Sequence, residues 1–158
     1  GLGNDYGKDH INITLSNYRK ETPMFDQLQR DNIIKKVRFR KINLDKIEAR
    51  RIDERAETSN IKLVQDSEYQ ILENSEDNTT IKLNTKIYVD PEALLYLEID
   101  YMIEYIFKEF ISDEEIHESI EVLLNPVGSE ISHIVSFITK EMFNIRVILP
   151  PRIILKDK

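Results

Sequence analysis

The chain contains no cysteine among its 158 residues, which excludes both a disulfide framework and a cysteine-based metal site. Glycine is scarce, and three of the four glycines lie within the first seven residues, so no glycine-rich loop could hold a phosphate group. The longest apolar runs span only a few residues and are too short for a membrane-spanning helix. Because no signal peptide is recognisable either, we predict a cytoplasmic protein that does not insert into membranes.

The sequence also lacks the usual patterns of catalytic residues. Its three histidines, His10, His117 and His133, are far apart and have no metal-ligand spacing. No serine stands in a nucleophile elbow. Carboxylates are so abundant that acidic pairs arise by chance, and an open surface offers them little of the desolvation that acid–base catalysis needs. We therefore predict that the chain is not an enzyme and has no cofactor and no metal site.

Charge is unevenly distributed along a chain whose net charge is −7. The stretch Lys35–Arg55 holds nine basic and four acidic residues, whereas Asp66–Glu121 holds sixteen acidic and three basic residues. Basic residues around Phe39 are a feature of nucleic-acid sites, but the overall acidic balance repels phosphate backbones, so we expect no nucleic-acid partner. The acidic stretch indicates either a solvated face or a docking surface for a basic partner.

One long strand dominates the hydrophobic pattern. In Leu94–Phe110 the odd positions from Leu95 to Phe107 are apolar or aromatic, whereas the even positions include Glu98, Asp100 and Glu104. Alternation of this length predicts a single half-buried strand. Its acidic face indicates a sheet that is open to water on one side.

Three more strands are predicted before it. The first lies within Ile33–Ile52 and has a bulge at Arg40-Lys41, the second begins at Ile61, and the third covers Thr80–Val89. Residues 50–60 show no period and are predicted to form a loop. Four strands followed by helices predict an α+β fold, in which a four-stranded antiparallel sheet has two C-terminal helices packed on one side.

The N-terminal residues 1–32 are predicted to be an extension of uncertain structure, followed by one domain over residues 33–155. Ile11–Leu15 alternates like a short strand, but it could also belong to an irregular entry helix.

The helical region has clear start and stop signals. Ser112 and Glu115 form a capping box that predicts the start of the first helix. Asn125-Pro126-Val127-Gly128 is predicted to break that helix, and Ser129 to cap a second one that ends at Phe143. Ile145–Leu149 is predicted to form a short strand that Pro150-Pro151 stops.

This order of elements resembles the C-terminal half of the SecB family of export chaperones. The resemblance is carried by Pro126 and by the run Phe143-Asn144-Ile145-Arg146-Val147-Ile148-Leu149-Pro150-Pro151-Arg152-Ile153. It spans Val37–Leu155 in element order and Leu94–Ile153 in residues. The chain is thus similar to a divergent SecB-like protein.

The resemblance implies a function and three sets of site residues. SecB-like proteins are dimers of dimers that hold unfolded polypeptides without ATP, and their acidic sheet face contacts the motor SecA. The implied client-binding groove is Phe107, Phe137, Phe143, Ile145 and Val147; the implied acidic docking face is Asp45, Glu98, Asp100 and Glu104; the implied oligomer interface is Ile116, Ile120 and Leu123. Three functions stay open: export through SecA, service to a single client such as an antitoxin, and an oligomeric adaptor that ignores unfolded chains.

Overall fold

The computed structural model describes residues 12–15, 32–52, 60–90 and 94–155. The strands are β1 (Asn12–Leu15), β2 (Val37–Ile52), β3 (Asn60–Ser75), β4 (Asn78–Asp90) and β5 (Leu94–Phe107), and the helices are α1 (Asp113–Glu118) and α2 (Ile120–Phe143). A helical turn at residues 32–35 precedes β2. The sheet has the order β1-β3-β4-β5-β2. Its β2, β3, β4 and β5 pair antiparallel, whereas β1 joins β3 in parallel. The predicted α+β fold is confirmed, and the fifth strand comes from the stretch predicted as an N-terminal extension.

The strand β5 organises the core, as its alternation predicted. Its seven odd-numbered residues from Leu95 to Phe107 are at most 5% exposed, and they pack with inward residues of β4 and with one face of α2. The Tyr105 hydroxyl donates to the Leu123 carbonyl oxygen at 2.6 Å, which ties the sheet to α2. The strand ends at Phe107 rather than Phe110, and the chain bends from residue 108, whose N–H still bonds the Lys36 carbonyl oxygen at 2.7 Å.

The predicted position of the break between the helices was wrong. Ser112 caps α1 as predicted, and its side chain accepts from the Glu115 N–H. The helix is interrupted at Ser119, however, and Pro126 lies inside the continuous helix α2. A proline in a helix interior costs about 3 kcal/mol. In α2 that cost is outweighed by burial of a row of large apolar side chains, each stabilising by about 1.5–3 kcal/mol, namely Ile120, Leu123, Leu124, Val127, Ile131 and Val135.

Of two further expectations about this helix, the one about Ser129 was wrong and the one about its end is confirmed. Ser129 lies within α2 and caps nothing, so its predicted role as a helix start was wrong. The helix does end at Phe143, where Asn144 adopts the left-handed conformation at φ 59° and its N–H bonds the Lys140 carbonyl oxygen. Asparagine tolerates this conformation better than most residues, which explains the end point.

The segment from Ile145 to Leu155, here called the tail, runs back along α2. Residues 145–149 were predicted as a strand, but they have no strand partner in the part of the chain that the structure describes. Side chains of α2 satisfy the tail backbone instead. The Thr139 hydroxyl oxygen accepts from the Val147 N–H at 2.9 Å, and the Ser132 hydroxyl donates to the Leu149 carbonyl oxygen at 2.9 Å.

Gly128 lets the tail approach the helix closely. A β-carbon built at this position would lie 2.6 Å from the Pro151 carbonyl oxygen, closer than real β-carbons come to such an atom. The glycine that was predicted to break a helix therefore makes room for the tail backbone.

Strand β2 is irregular, as predicted, but not at the predicted place. Its register with β5 shifts between Val37 and Phe39 and between Leu44 and Lys46, whereas Arg40 and Lys41 pair regularly. The ends of the predicted loop at residues 50–60 were wrong, since residues 50–52 belong to β2 and Asn60 begins β3. Residues 53–59 lie outside the described part of the chain.

Candidate functional site

The far edge of β3 is only partly paired within the described residues. On one side β3 pairs with β4 from Lys62 to Ser75. On the other side β1 covers only Asn60–Leu63. Beyond Leu63, the described residues provide one contact of strand type, a parallel bridge between Ser67 and Leu155 at the end of the tail. Backbone groups at such an edge can pair with an added strand.

A cleft of about 890 Å³ runs along this edge. It is lined by the β3 segment Ser67–Asn74, by Asp113 and His117 of α1, by Ile120 at the start of α2, and by Leu155 of the tail. The volume lies within the roughly 300–1,000 Å³ range of ligand sites in proteins. The cleft therefore offers both a strand edge and a concave apolar wall.

Hydrogen bonds between β3 and α1 fix the width of the cleft. The Asn74 side-chain N–H₂ donates to the Ile111 carbonyl oxygen at 2.9 Å and to the Asp113 carboxylate at 2.7 Å. Asn74 also accepts from the Thr79 hydroxyl at 2.9 Å, so three neighbours hold its amide in place. This network keeps α1 at a constant distance from the strand.

Tyr69 and His117 make a second bridge across the cleft. The Tyr69 hydroxyl oxygen and the His117 Nδ1 are 2.6 Å apart, and the two rings are tilted with centroids 5.6 Å apart. Burial raises the pKa of the Tyr69 hydroxyl, which keeps it protonated and able to donate to the imidazole. In the sequence, His117 was noted only as one of three histidines without metal-ligand spacing, and no sequence spacing linked it to Tyr69.

The rim of the cleft is acidic and its wall is partly apolar. Glu68, Glu73 and Asp113 line it, and none of its described lining residues is Lys or Arg. A register shift between Ile71 and Glu73 turns Leu72 toward solvent, where it is 46% exposed. Such a site favours an extended segment with apolar side chains and disfavours one with many carboxylates.

The implied groove residues lie elsewhere, and they differ in exposure. Phe107 is 1% exposed and stacks on Tyr105 inside the core, so it offers no surface to a client in this conformation. Phe137 is 53% exposed on α2. Phe143 and Val147 are partly buried against the core, and Ile145 is partly buried in the tail. No member of this set lines the cleft beside β3.

The implied acidic docking face carries a balancing set of cations and amides. Asn84 donates to the carboxylates of Glu98 at 2.9 Å and Asp100 at 2.6 Å. Lys46 lies 3.3 Å from Glu98, and Lys82 lies 3.8 Å from Asp100. The hydrogen bond from Asn84, followed by the contact with Lys46, lowers the pKa of Glu98.

The other two residues of that face are more open. Asp45 is exposed at the second irregularity of β2, and Glu104 is exposed opposite Lys41. The implied oligomer interface lies inside the monomer, since Ile116, Ile120 and Leu123 are at most 6% exposed.

Neither a membrane span nor a metal site is found in the described residues. None of their helices is long and apolar enough to cross a bilayer. No group of three or more histidine and acidic side chains among them could hold a metal ion.

Comparison with known proteins identifies the fold. No protein-family model matches the chain, and no curated protein matches it either. Among solved structures, the chain is similar to the SecB-like chaperone Rv1957 of Mycobacterium tuberculosis, which was solved with a ChAD peptide from the antitoxin Rv1956 HigA1. The TM-score is 0.66 at 9% identity, and the match covers 80% of this chain and 98% of that one. The predicted SecB-like fold is confirmed.

A second solved structure is also similar. It is a protein of unknown function from Streptococcus agalactiae, with a TM-score of 0.49 at 13% identity, and the match covers 71% of this chain and 95% of that one.

Proposed function

We propose that the chain is a molecular chaperone that binds extended, apolar polypeptide segments in the cleft beside β3. The observation that carries this proposal is the strand edge of residues 69–74, which has no strand partner on this side among the described residues and lines a cleft of about 890 Å³. An added strand gains main-chain hydrogen bonds that do not depend on its sequence, and side-chain pockets then supply selectivity. Binding of this kind suits unfolded chains, because their backbone groups are still available for pairing.

The wall of the cleft supports apolar contact. Tyr69, Ile71, Leu72, Ile120 and Leu155 contribute apolar surface, and Leu72 is half-exposed at the bulge. Burying apolar area stabilises a complex by roughly 25 cal/mol per Å² before the costs of association. We propose that the chain acts as a holdase, without ATP and without covalent chemistry.

Two biological roles fit such a holdase. The structurally similar Rv1957 was solved with an antitoxin peptide, which supports a chaperone dedicated to one client. Export through SecA would use the acidic face, where Asp45 and Glu104 are exposed but Glu98 and Asp100 are engaged with Asn84. We therefore favour the dedicated client, and export stays the second proposal. Both roles place the protein in the cytoplasm.

Assembly into a homotetramer also stays a proposal. The implied interface residues are buried within the monomer, so an interface would need other surfaces. Candidates are Leu44 and Ile47 on the inward face of β2 and Phe137 on α2, which are 47%, 42% and 53% exposed. Exposed apolar patches of this kind on a soluble protein usually mark protein contacts. The same surfaces would serve an adaptor that binds only folded partners.

The test compares binding of a permanently unfolded, reduced and alkylated protein with binding of its folded form. The chaperone proposal predicts suppressed aggregation of the unfolded form, together with slower hydrogen exchange in Ser67–Asn74. An adaptor would show no preference for the unfolded form. Native mass measured on the same sample gives the number of subunits.

Three single substitutions to glutamate separate the possible contact surfaces. We expect Leu72→Glu to weaken client binding, because it adds a carboxylate to the apolar wall of the cleft. Phe137→Glu tests the groove implied by the family resemblance, and Ile148→Glu is the control. All three side chains are at least 46% exposed, so each variant should fold. Weakening by Phe137→Glu but not by Leu72→Glu would move the client site from the cleft to α2.

A further inference from the structure

The end of the tail reaches the strand edge that the proposed client would use. Leu155 forms a parallel bridge with Ser67, and it also lines the cleft beside β3. A client strand that runs along β3 from residue 74 toward residue 67 therefore meets the backbone of Leu155. The edge that it can follow before this contact, residues 69–74, spans roughly 20 Å at about 3.3 Å per residue.

The first half of the tail is held on α2 by hydrogen bonds. The Ser132 hydroxyl donates to the Leu149 carbonyl oxygen at 2.9 Å, and the Thr139 hydroxyl oxygen accepts from the Val147 N–H at 2.9 Å. Leu149 is also buried, with 4% of its surface exposed. These contacts fix residues 145–149 along the helix.

A tight turn separates this first half from the end of the tail. The Arg152 N–H donates to the Pro150 carbonyl oxygen at 2.7 Å, which closes a γ-turn centred on Pro151. Proline fixes its own backbone angle φ, so the turn is stiff. Past the turn, the bridge at Leu155 is the one contact of strand type that the described residues provide.

Apolar burial holds the end of the tail in addition to this bridge. Ile154 is 7% exposed, and Ile153 and Leu155 are partly buried against the core. Apolar contacts are non-directional, so the apolar side chains of a client can replace them. The backbone groups of a strand edge likewise pair with any extended chain. The end of the tail therefore makes the same two kinds of contact as a client strand.

We propose that the tail end, Ile153–Leu155, is an internal competitor for the client site, and that a long client segment displaces it from Ser67. The proposal rests on the function proposed above and adds its regulation, since the returning tail end helps to release the client without ATP. Leu155 is then part of the apolar wall for a short segment and an obstacle to a long one. Displacement stops at the turn, because α2 holds the first half of the tail.

A pair of cysteines tests the proposal by locking the tail end in place. The chain has no cysteine of its own, so Ser67→Cys combined with Leu155→Cys introduces a single possible disulfide. Neighbouring strands lie about 4.8 Å apart, which is within the range of α-carbon separations in disulfides. The client is the reduced and alkylated protein, which has no reactive thiol. We expect the oxidised form to bind it at least about tenfold more weakly than the reduced form, whereas Leu155→Cys alone should show no such difference.

Loosening the tail end should have the opposite effect. Ile154→Ala removes buried contacts of the tail end but leaves the cleft unchanged, because Leu155 lines the cleft and Ile154 does not. We expect this variant to bind the client at least about threefold more tightly, since the open fraction of the protein rises. Ile148→Ala is the matched control. Ile148 lies in the same tail but is 61% exposed, so its replacement should leave the affinity unchanged.

Hydrogen exchange of the wild-type chain gives an independent readout. Client binding should slow the amides of residues 69–74 and speed those of residues 153–155, while the Val147 amide stays unchanged. Slower exchange in both segments would contradict displacement, because the tail end would then cover the bound client.

Three further results would overturn the proposal. The first is equal client binding by the oxidised and reduced forms of the cysteine pair. The second is a folded Ile154→Ala variant that binds no more tightly than the wild-type chain; if this variant does not fold, the cysteine pair decides. The third is a cysteine pair that does not oxidise, since the tail end would then not lie beside Ser67. Failure of the proposed function itself is distinguishable, because neither the wild-type chain nor any variant would then bind the unfolded client.

Discussion

Replacing Gly128 with alanine tests whether the tail holds its position by packing closely on α2. In an ordinary helix interior this change stabilises by about 1 kcal/mol, because alanine has the higher helix propensity. Here the added methyl group would lie 2.6 Å from the Pro151 carbonyl oxygen and 2.9 Å from the Arg152 nitrogen. These are backbone atoms, so no side-chain rotation can relieve the overlap.

The two effects have opposite signs, and the structure indicates which is larger. Overpacking against a fixed backbone costs about 1–3 kcal/mol. If the tail moves away to relieve the overlap, it also loses the hydrogen bonds that Ser132 and Thr139 make to it, each contributing about 1 kcal/mol. We therefore expect Gly128→Ala to lower the free energy of unfolding by about 1–2 kcal/mol.

Urea unfolding of the purified chain measures this change, with Asn125→Ala as the matched control. Asn125 is exposed one turn earlier in α2, so its replacement gains helix propensity without meeting the tail. The expected loss corresponds to a decrease of roughly 2–8 °C in Tm for a chain of this size. Faster exchange of the Val147 amide would show that the tail has moved. A Gly128→Ala variant that is as stabilised as the control would refute the close packing of the tail.

Three further predictions concern hydrogen bonds and titrating groups. Burial raises the pKa of the Tyr105 hydroxyl to about 12, compared with about 10 for an ordinary tyrosine. The neutral hydroxyl therefore stabilises the fold by roughly 2–3 kcal/mol below pH 10, and this stabilisation is lost as the pH rises toward 12. Tyr105→Phe should flatten this alkaline limb when the free energy of unfolding is measured against pH. The hydrogen bond from Asn84 lowers the pKa of Glu98 in the folded protein. The Glu98 carboxylate therefore stabilises the fold above the ordinary carboxyl pKa, and this stabilisation is lost as the pH falls through the folded value. Glu98→Gln should reduce the pH dependence of the free energy of unfolding on the acid side, and an unchanged profile would contradict this role. Thr139→Val should lower the free energy of unfolding by about 1–2 kcal/mol and speed hydrogen exchange of the Val147 amide. Unchanged exchange of that amide would mean that the Thr139 hydroxyl does not hold the tail.

Local sequence patterns correctly predicted the parts of the fold that depend only on neighbouring residues. The alternation in Leu94–Phe110 gave β5 and its buried face, since a strand places every second side chain on the same side. The capping box at Ser112 correctly predicted the start of α1, because the Ser112 side chain accepts a hydrogen bond from the Glu115 N–H only three residues away. Both are decided within a few residues.

The features that were mispredicted depend on contacts between distant segments. Pro126 was predicted to end a helix from its local cost alone, whereas burial of the apolar face of α2 on the sheet decides the outcome. Gly128 was interpreted as a helix breaker, although its role is to accommodate Pro151, more than twenty residues later. Phe107 was placed in the groove by its type and position, and only the packed core shows that it is covered.

The cleft beside β3 could not be predicted from the sequence for the same reason. Tyr69 lies 48 positions before His117 and Asn74 lies 39 positions before Asp113, and neither separation follows a motif. One local signal did exist: Glu68, Leu72 and Glu73 interrupt the regular pattern of a buried strand, which is how an accessible edge with a bulge appears in sequence.

Charge and irregular register at the two edges of the sheet limit the addition of unwanted strands. An exposed strand edge promotes aggregation unless charge, irregularity or cover prevents it. Strand β2 has many basic side chains and two register shifts. The cleft beside β3 has acidic side chains, and its strand has one register shift. The carboxylates of the cleft beside β3 also select its ligand, since an apolar segment poor in carboxylates fits beside them. Protection and selectivity in this cleft therefore require the same residues, so Glu73→Gln should both reduce the discrimination against carboxylate-rich segments and increase aggregation of the free protein.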